Sequence, residues 1–350
     1  MPVGTQGAVK TLGSDDLEGL GFELILANTY HLGLRPGADA VERLGGLHRF
    51  MSWDRAILTD SGGYQVMSLA KRRKITDEGV AFQSHLDGAE LFLSPEKAVQ
   101  IQSKLGVDVM MALDVCPEFG CSKDEAAEAM RLTHAWAERC LAEHSRPPPS
   151  GFPESEDASA ESAVSPALFG IFQGGTHEDL RRESAAFVTS LPFDGFAIGG
   201  VSVGEPEELM RPIVELAAPL LPDGKPRYLM GVGHPQDILH AVSCGVDLFD
   251  CVLPTRLARH HSLYTLKGRI NILNAQWAEA DGPIDPESVF PQTQRYSAAY
   301  LHHLFKAEEP LGPRLATIHN LAFYARLMAE IREAIGTGGW PGLASRYQDC

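Results

Sequence analysis

The sequence predicts an α/β fold, and more specifically a (β/α)8 barrel. Eight short apolar runs alternate along the 350 residues with segments of helical character, which is typical of repeated parallel β-α units. Polar and glycine residues follow most of these runs directly, and barrel enzymes place their functional residues at such strand ends. The two observations together favour a closed barrel.

The candidate strands are short and all lie before Asp250. They are Pro2–Gly4, Phe22–Ala27, Ala56–Thr59, Val107–Leu113, Leu168–Phe172, Gly195–Ile198, Tyr228–Met230 and Val246–Phe249. A doubly wound open sheet is the competing architecture, and it requires a glycine-rich phosphate loop after its first strand. Because Gly4-Thr-Gln-Gly7 does not match that fingerprint, the barrel is preferred.

Three of the intervening segments have a capping residue or a proline at their start and a clear end. These predicted helices run from Ser94-Pro95 to Gly106, from the capping box Ser122-x-x-Glu125 to about His144, and from Pro235 to Gly245.

Composition excludes several classes of function. No apolar run is long enough to span a membrane, and the N-terminus lacks the basic and apolar regions of a signal peptide, so we expect a cytoplasmic protein. The six cysteines form no C-x-x-C pair, which fits reduced thiols. A net charge of −16 argues against indiscriminate nucleic-acid binding. Two local stretches, Lys71–Lys74 and the acid-free window Pro254–Arg269, are nevertheless candidates for a basic groove or for a merely solvated face.

The end of the last apolar run combines a carboxylate with two arginines. Asp250 ends the run, Pro254 interrupts the chain, and Arg256 and Arg259 follow. A carboxylate at the end of a buried strand is costly unless it does chemistry or has a partner. Guanidinium groups suit phosphates or base edges. The segment therefore indicates either a nucleophile beside an RNA-binding surface or an ordinary strand end with surface arginines.

Five other strand ends carry polar or glycine residues in the same register. They are Asp60-Ser-Gly-Gly-Tyr-Gln65, Asp114-Val-Cys116, Gln173-Gly-Gly175, Gly199–Glu205 and Gly231-Val-Gly233. A single Gly-Gly pair is usually a tight turn, but a set of such ends indicates a site. None of the ends has the lysine that a Schiff-base aldolase or lyase requires.

From Met1 to about Ala334 the chain resembles the tRNA-guanine transglycosylases of the bacterial queuine tRNA-ribosyltransferase type. The segments that carry the resemblance are Asn28-Thr-Tyr-His31, Thr59–Gln65, Ser84-His-Leu-Asp-Gly88, Phe169–Gly175, Arg227–Gly233 and Phe249–Arg256. The resemblance implies exchange of the wobble guanine of certain tRNAs for a 7-deazaguanine. It also implies a barrel domain, residues 1–272, a C-terminal helical subdomain, residues 273–350, and no ATP or redox cofactor.

The resemblance assigns roles to individual residues. Cleavage of a ribose–base bond with retention requires a carboxylate nucleophile; Asp250 matches that nucleophile, and Asp60 matches the general acid/base. Arg256 and Arg259 match residues that contact the uridines beside the wobble base. The positions that match the family's base-binding residues are Tyr64, Asp114, Cys116, Gln173, Gly200, Val201, Glu205, Met230 and Gly231.

Four pocket residues bear on which base is used. Cys116 and Val203 match the bacterial branch, which takes 7-aminomethyl-7-deazaguanine, whereas the eukaryotic branch differs there to admit queuine. Val201 stands where leucine is usual, and its backbone carbonyl is implied to hold the aminomethyl group. Glu205 matches the residue that steadies this peptide.

The family's zinc site is altered in this chain. A Cys-x-Cys-x-x-Cys motif and a later histidine are usual, but Ser288, Phe290 and Thr293 occupy the cysteine positions and only His319 is retained. A lone histidine does not hold a structural tetrahedral zinc, so we predict no metal. A site rebuilt from His319 with other histidines is the alternative.

Three further expectations follow from the resemblance. Family members usually have an additional segment before the equivalent of Met1, so a longer natural chain is one expectation. The Pro/Ser/Glu-rich stretch 146–166 predicts a flexible insertion. The family typically forms homodimers. A catalytically inactive paralogue that serves as a tRNA-binding or partner subunit is the rival function, but such a protein would be expected to lose Asp60, Asp114 or Asp250, and all three are present.

Overall fold

A computed structural model describes residues 1–69, 72–146 and 165–350 of the chain. Lys71 of the predicted basic stretch and residues 147–164 of the predicted insertion lie outside the described residues. No helix in the described ranges is both long and apolar enough to cross a membrane.

The described residues contain strands and helices in alternation. The strands are β1 Val3–Gly4, β2 Leu24–Ala27, β3 Ala56–Thr59, β4 Arg73–Thr76, β5 Gly79–Gln83, β6 Glu90–Leu93, β7 Val109–Met111, β8 Ala167–Phe172, β9 Gly195–Ile198, β10 Arg227–Leu229, β11 Leu248–Phe249, β12 Ser262–Thr265 and β13 Gly268–Asn271. The helices before β8 are α1 Ser14–Gly19, α2 Thr29–Leu34, α3 Ala38–Arg43, α4 Gly46–Met51, α5 Gly63–Leu69, α6 Pro95–Leu105 and α7 Lys123–His144. Those after β8 are α8 Glu178–Ser190, α9 Glu207–Ala217, α10 Pro235–Ser243, α11 Leu253–Arg259, α12 Pro291–Gln294, α13 Ala298–Lys306, α14 Leu311–Thr337 and α15 Trp340–Arg346.

Eight of the strands form one sheet in the order β1-β2-β3-β7-β8-β9-β10-β11, so the strands of this sheet pair in the order in which they occur along the chain. The pairs β3–β7, β7–β8 and β8–β9 are parallel. The nitrogen of Met1 donates to the carbonyl of Phe249 at 2.7 Å, which links the residues just before β1 to the end of β11, the last strand of this sheet. The predicted (β/α)8 barrel is confirmed.

The predicted elements agree with the structure where local signals are strong. Strands β3 and β9, the third and sixth of the barrel, have the predicted bounds, Ala56–Thr59 and Gly195–Ile198. Ser94 caps α6, and Ser122 and Glu125 form the predicted capping box of α7. Strands β7 and β11, the fourth and eighth of the barrel, are shorter than predicted, because apolar residues continue beyond the paired backbone into the adjoining loops.

The sequence reading missed two antiparallel sheets. Strands β4, β5 and β6 pair in chain order, and β12 pairs with β13 as a hairpin. Strand β4, Arg-Lys-Ile-Thr, is largely exposed and has no apolar alternation, so its conformation depends on pairing with β5 rather than on local preference.

The chain forms two compact units. The first unit consists of Met1–Leu26 and Leu229–Cys350, and the second of Ala27–Tyr228. The predicted domain boundary at residue 272 falls inside the first unit and stays a prediction.

A buried amide joins helix to sheet in the second unit. Gln102 of α6 is fully buried, and its Nε2 donates to the carbonyls of Ala98 at 3.1 Å and Met111 at 3.0 Å. Its Oε1 accepts from the Met111 N–H at 2.8 Å and from the Thr59 hydroxyl at 3.0 Å. All four hydrogen-bonding positions of the side chain are therefore used.

Helix α14 has the corresponding role in the first unit. Asn320 is fully buried, its Oδ1 accepts from the Tyr264 N–H at 3.0 Å, and its Nδ2 donates to the carbonyls of Pro254 and Ser262. The hydroxyl of Tyr324, one turn further, donates to the carbonyl of Gly233. Helix α14 thus holds the segments on either side of β11.

We predict that Gln102→Leu destabilises the protein markedly. Leucine fills the space but leaves the Met111 N–H and the Thr59 hydroxyl without a partner, at roughly 1–3 kcal/mol for each stranded group. Thermal melting of the variant tests this. Gln100→Leu is the matched control, because Gln100 lies on the same helix with an exposed hydrogen bond to Glu143; equal melting temperatures for the two variants would contradict the prediction.

Candidate active site

Asp60 follows β3 in the second unit and is buried in a set of hydrogen-bond donors. Its Oδ1 accepts from the backbone N–H of Thr29 at 2.9 Å, and its Oδ2 accepts from Gln65 Nε2 at 2.8 Å and from Asn28 Nδ2. The hydroxyl of Thr29 also donates to the Asp60 carbonyl. The carboxylate is therefore fixed in orientation by the residues after β2 and by the first turn of α5.

Asp114 follows β7 and is also buried. Gln173 Nε2 donates to its Oδ2 at 2.6 Å, and the hydroxyl of Ser61 donates to its Oδ1 at 3.4 Å. Burial raises the pKa of Asp114 to about 6, although the bonds from Gln173 and Ser61 act in the opposite direction. The carboxyl group is thus poised to change its charge near neutral pH.

Gln173 lies in a close-fitting position between two strand ends. Its side chain is fully buried, and its Oε1 has no hydrogen-bond partner among the described residues. A Cβ at Gly199 would lie 2.5 Å from Gln173 Nε2, and one at Gly200 would lie 2.4 Å from Oε1. Glycine is required at both positions because the amide passes against their backbone.

A buried guanidinium holds these glycine loops together. Arg181 of α8 is fully buried, and its Nε donates to the Gly175 carbonyl at 2.8 Å. Its Nη1 and Nη2 donate to the carbonyls of Gly199 at 2.7 Å and Gly200 at 3.0 Å. Burial lowers the pKa of Arg181 to about 10, opposed by the nearby Cys116 and Glu205. The loops after β8 and β9 are therefore joined through one side chain.

The remaining predicted residues of the second unit lie on the same strand ends. Cys116 and Val201 are buried, whereas Tyr64 on α5 is 49 % exposed. Burial, followed by the charge of Asp114, raises the pKa of the Cys116 thiol to about 12, which keeps it protonated. Glu205 accepts from the backbone N–H of Val203 at 2.9 Å and from that of Ser202, so it fixes the loop after Val201.

Asp250 directly follows β11 in the first unit and is partly exposed. The backbone N–H of Gly231 donates to its Oδ1 at 2.9 Å, which joins the segments that follow β10 and β11. Met230 precedes Gly231 and is partly buried. Gly233 packs against Cys251, since a Cβ there would lie 2.3 Å from the Cys251 sulfur.

The two predicted RNA-binding arginines lie on α11, just beyond Asp250. Arg256 is exposed, and Arg259 is partly buried with its Nη1 donating to the Thr255 carbonyl at 3.0 Å. Burial and the charge of Arg256 lower the pKa of Arg259. Two guanidinium groups three residues apart on one short helix give a local positive surface that suits an anion.

A family model described as "TGT: Queuine tRNA-ribosyltransferase" matches residues 1–349. The chain belongs to this family. Among proteins named queuine tRNA-ribosyltransferase, that of Dehalococcoides mccartyi strain CBDB1 is 51% identical over 334 residues, covering 95% of this chain and 81% of the relative. The Symbiobacterium thermophilum protein is 51% identical over 338 residues, 97% of this chain and 80% of the relative. The Geobacillus kaustophilus protein is 50% identical over 350 residues, 100% of this chain and 88% of the relative.

The family resemblance did not reveal the residues that orient the site. Asn28 and Thr29 were part of a segment typical of queuine tRNA-ribosyltransferases, but no role followed from their types. Arg181 lies within an ordinary amphipathic helix beside Arg182, which forms an exposed pair with Glu178. Nothing in the sequence distinguishes the buried arginine from its exposed neighbour.

The residues at the family's zinc positions do not fit a metal in this chain. The hydroxyl of Thr293 donates to that of Ser288 at 2.6 Å, and Phe290 offers no donor atom. His319 is buried, with its Nε2 bonded to the Tyr264 carbonyl at 2.8 Å, and burial lowers its pKa. In the described ranges no three His, Cys, Asp or Glu side chains form a group that could hold a metal. The absence of zinc stays a prediction.

We predict that Arg181→Met lowers base exchange by about 100-fold, because misplacing a binding group by about 1 Å has an effect of that order. The loss should appear in the affinity for free guanine, with the Michaelis constant for tRNA nearly unchanged. Added guanidinium should restore part of the activity. Arg182→Met is the matched control, and an equal loss in both variants would refute the assignment.

Proposed function

We propose that the chain exchanges the wobble guanine of queuosine-type tRNAs for 7-aminomethyl-7-deazaguanine. Family membership over the whole chain supports a pentosyltransferase that acts on tRNA. The observation that carries the proposal is the presence, at strand ends, of three oriented carboxylates, Asp60, Asp114 and Asp250.

We propose a double displacement at the ribose. The carboxylate of Asp250 attacks C1′ while the bond from C1′ to the guanine nitrogen breaks, which gives a ribosyl ester of the enzyme. Asp60 delivers a proton to the departing guanine and then takes one from the incoming base. The incoming base nitrogen attacks C1′ and releases Asp250, so the configuration is retained.

Fixed orientation supports these two roles. The N–H of Gly231 donates to one carboxylate oxygen of Asp250 at 2.9 Å, which restricts the rotation of the group that attacks C1′. Three donors hold Asp60, so its rotation is restricted while it exchanges a proton with the base. Neither role needs a cofactor, and none is proposed.

Base recognition rests on the pair formed by Asp114 and Gln173. An ionised Asp114 accepts from the N1–H and exocyclic amine of guanine, which present two donors side by side. Gln173 Nε2 donates one hydrogen to Asp114. We assign its second hydrogen, and the backbone N–H near Gly200, to guanine O6, as the family resemblance implies. The family resemblance assigns Tyr64, through its aromatic ring, and Met230, through its polarisable thioether, to contacts with the flat base.

The preference for the aminomethyl base is assigned to the loop after β9. The carbonyl of Val201 accepts from the aminomethyl ammonium, and Glu205 steadies that peptide through the N–H groups of Ser202 and Val203. Cys116 is buried in the segment after β7 and, with Val203, matches the bacterial branch of the family, so we assign to this chain the aminomethyl base rather than the bulkier queuine.

The tRNA is held by Arg256 and Arg259 through local positive charge, against the net charge of −16 of the chain. We further propose a cytoplasmic homodimer without structural zinc, in keeping with tRNA as substrate and with the unsuitable donors at Ser288, Phe290 and Thr293.

The test of the whole proposal is incorporation of radiolabelled guanine into a tRNA with a queuosine-type anticodon. Absence of incorporation, with intact tRNA binding, would favour the partner-subunit function instead.

We predict that guanine binds more weakly as the pH falls below about 6. The pKa of Asp114 is raised to about 6, so the carboxylate that accepts the two guanine donors is lost by protonation below that value. The dissociation constant should rise by about tenfold per pH unit there. Calorimetric titration between pH 5 and 8 measures it, and Asp114→Asn should bind weakly without this pH dependence.

We predict that Asp250→Asn abolishes exchange and leaves tRNA binding largely intact, because an amide does not form the ribosyl ester. Denaturing gel electrophoresis of the enzyme mixed with tRNA should show a covalent band for the wild type alone. A denaturant-resistant complex formed by the variant would show that another residue is the nucleophile.

Arg256→Ala and Arg259→Ala should each weaken tRNA use by roughly 1–3 kcal/mol while free guanine binds as before. The Michaelis constants for tRNA at two salt concentrations measure the effect, and its size should shrink at high salt. Arg182→Ala, at an exposed arginine paired with Glu178, is the control. The RNA-binding assignment fails if the Michaelis constant for tRNA is unchanged in both α11 variants.

A further inference from the structure

The first unit contains a buried guanidinium that has no role in the proposed base exchange. The Arg326 side chain, on α14, is 7 % exposed. Its Nε donates to Glu330 Oε1 at 3.0 Å, and its Nη1 donates to Asp285 Oδ2 at 3.3 Å and to the Glu287 carbonyl at 3.2 Å. One side chain therefore joins α14 to the segment that begins at Asp285.

Other polar contacts surround this centre. Asp285 Oδ1 accepts from the Glu287 N–H at 3.0 Å, and its carbonyl accepts from Gln294 Nε2 at 2.8 Å. From the C-terminal side, Arg346 lies 3.2 Å from the Glu287 carboxylate, and the Tyr347 hydroxyl donates to Glu330 at 2.9 Å. The network ties the 285–294 segment, α14 and α15 to one another.

The network occupies the same two elements that the family's metal would join. Asp285 and Glu287 lie three residues and one residue before Ser288, the first position of the altered metal motif. Arg326 follows His319 by seven residues on α14, which is about two turns, so both side chains project from the same face of the helix. A link between this segment and α14 is thus present without a metal ligand.

We propose that Arg326, with Asp285, Glu287 and Glu330, replaces the metal as the tie between the 285–294 segment and α14. The inference rests on the proposed absence of zinc but not on the proposed base exchange. A buried ion pair contributes little by itself when compared with apolar packing, yet loss of one partner strands the other in a low-dielectric setting. Substitution at this centre should therefore be strongly destabilising.

Burial lowers the pKa of Arg326, but the hydrogen bond to Glu330 and the neighbouring negative charges outweigh it, so the net pKa is raised. The guanidinium therefore stays charged, as an ion-pair tie requires. Because α14 also holds Gly233 through Tyr324 and Pro254 through Asn320, the tie supports the helix that flanks the Asp250 segment.

The test is a double-mutant cycle on the full chain. Arg326→Met, Asp285→Asn and the double variant are compared by thermal melting with and without a chelator. Arg314→Met is the matched control, since Arg314 lies on the same helix in a more exposed pair with Asp16. We expect Arg326→Met to lower Tm by roughly 5–10 °C, the control to change it by about 1–2 °C, and the double variant to lose less than the two single losses combined.

Chelation should leave Tm unchanged in the wild type, and elemental analysis should find no stoichiometric zinc. If Arg326→Met does not fold, Asp285→Asn and Arg326→Lys replace it, because the first keeps the arginine and the second keeps its positive charge. Additive losses, losses no larger than the control, or a zinc-dependent Tm would each overturn the inference. Base exchange by the wild type, assayed separately, tests the proposed function independently of these outcomes.

Discussion

Pairing of the eight barrel strands in chain order is the constraint on which the functional residues depend. Because each strand pairs with the next, the residues that follow successive strands occupy neighbouring positions along one edge of the sheet. Ser61 after β3, Asp114 after β7 and Gln173 after β8 are joined by hydrogen bonds for this reason, although they are far apart in sequence. The pairing of the strands thus sets the positions of these residues, whatever their side chains are.

Buried polar groups then fix the geometry that the strands provide. The guanidinium of Arg181 donates hydrogen bonds to the carbonyls of two glycine loops, and hydrogen-bond donors surround the carboxylate of Asp60. Such groups are costly to bury unless their hydrogen bonds are made, so they tolerate few alternative arrangements. The same physical rule gives Asp114 its raised pKa, since burial outweighs the bonds it receives.

In the C-terminal region, the proposed absence of zinc means that other contacts must hold the 285–294 segment on α14. The family resemblance implies thiolates and a metal for this purpose, whereas Ser288 and Thr293 here bond to each other and His319 bonds to a backbone carbonyl. A network around Arg326 joins the same elements. A charged tie of this kind depends on burial and intact partners rather than on metal supply, which makes its response to substitution the informative measurement.

The sequence by itself determined the alternating elements, the capped helices α6 and α7 and the identity of the strand-end residues, because these depend on local patterning and on motifs specific to the family. It did not reveal strands β4–β6, whose polar β4 is formed by pairing with β5. It did not separate Arg181 from Arg182, or mark Arg326 as a buried centre, because burial and partners distant in the chain decide what an arginine does. Only the tertiary structure supplies that environment, and with it the desolvation and hydrogen bonding that turn common residue types into functional ones.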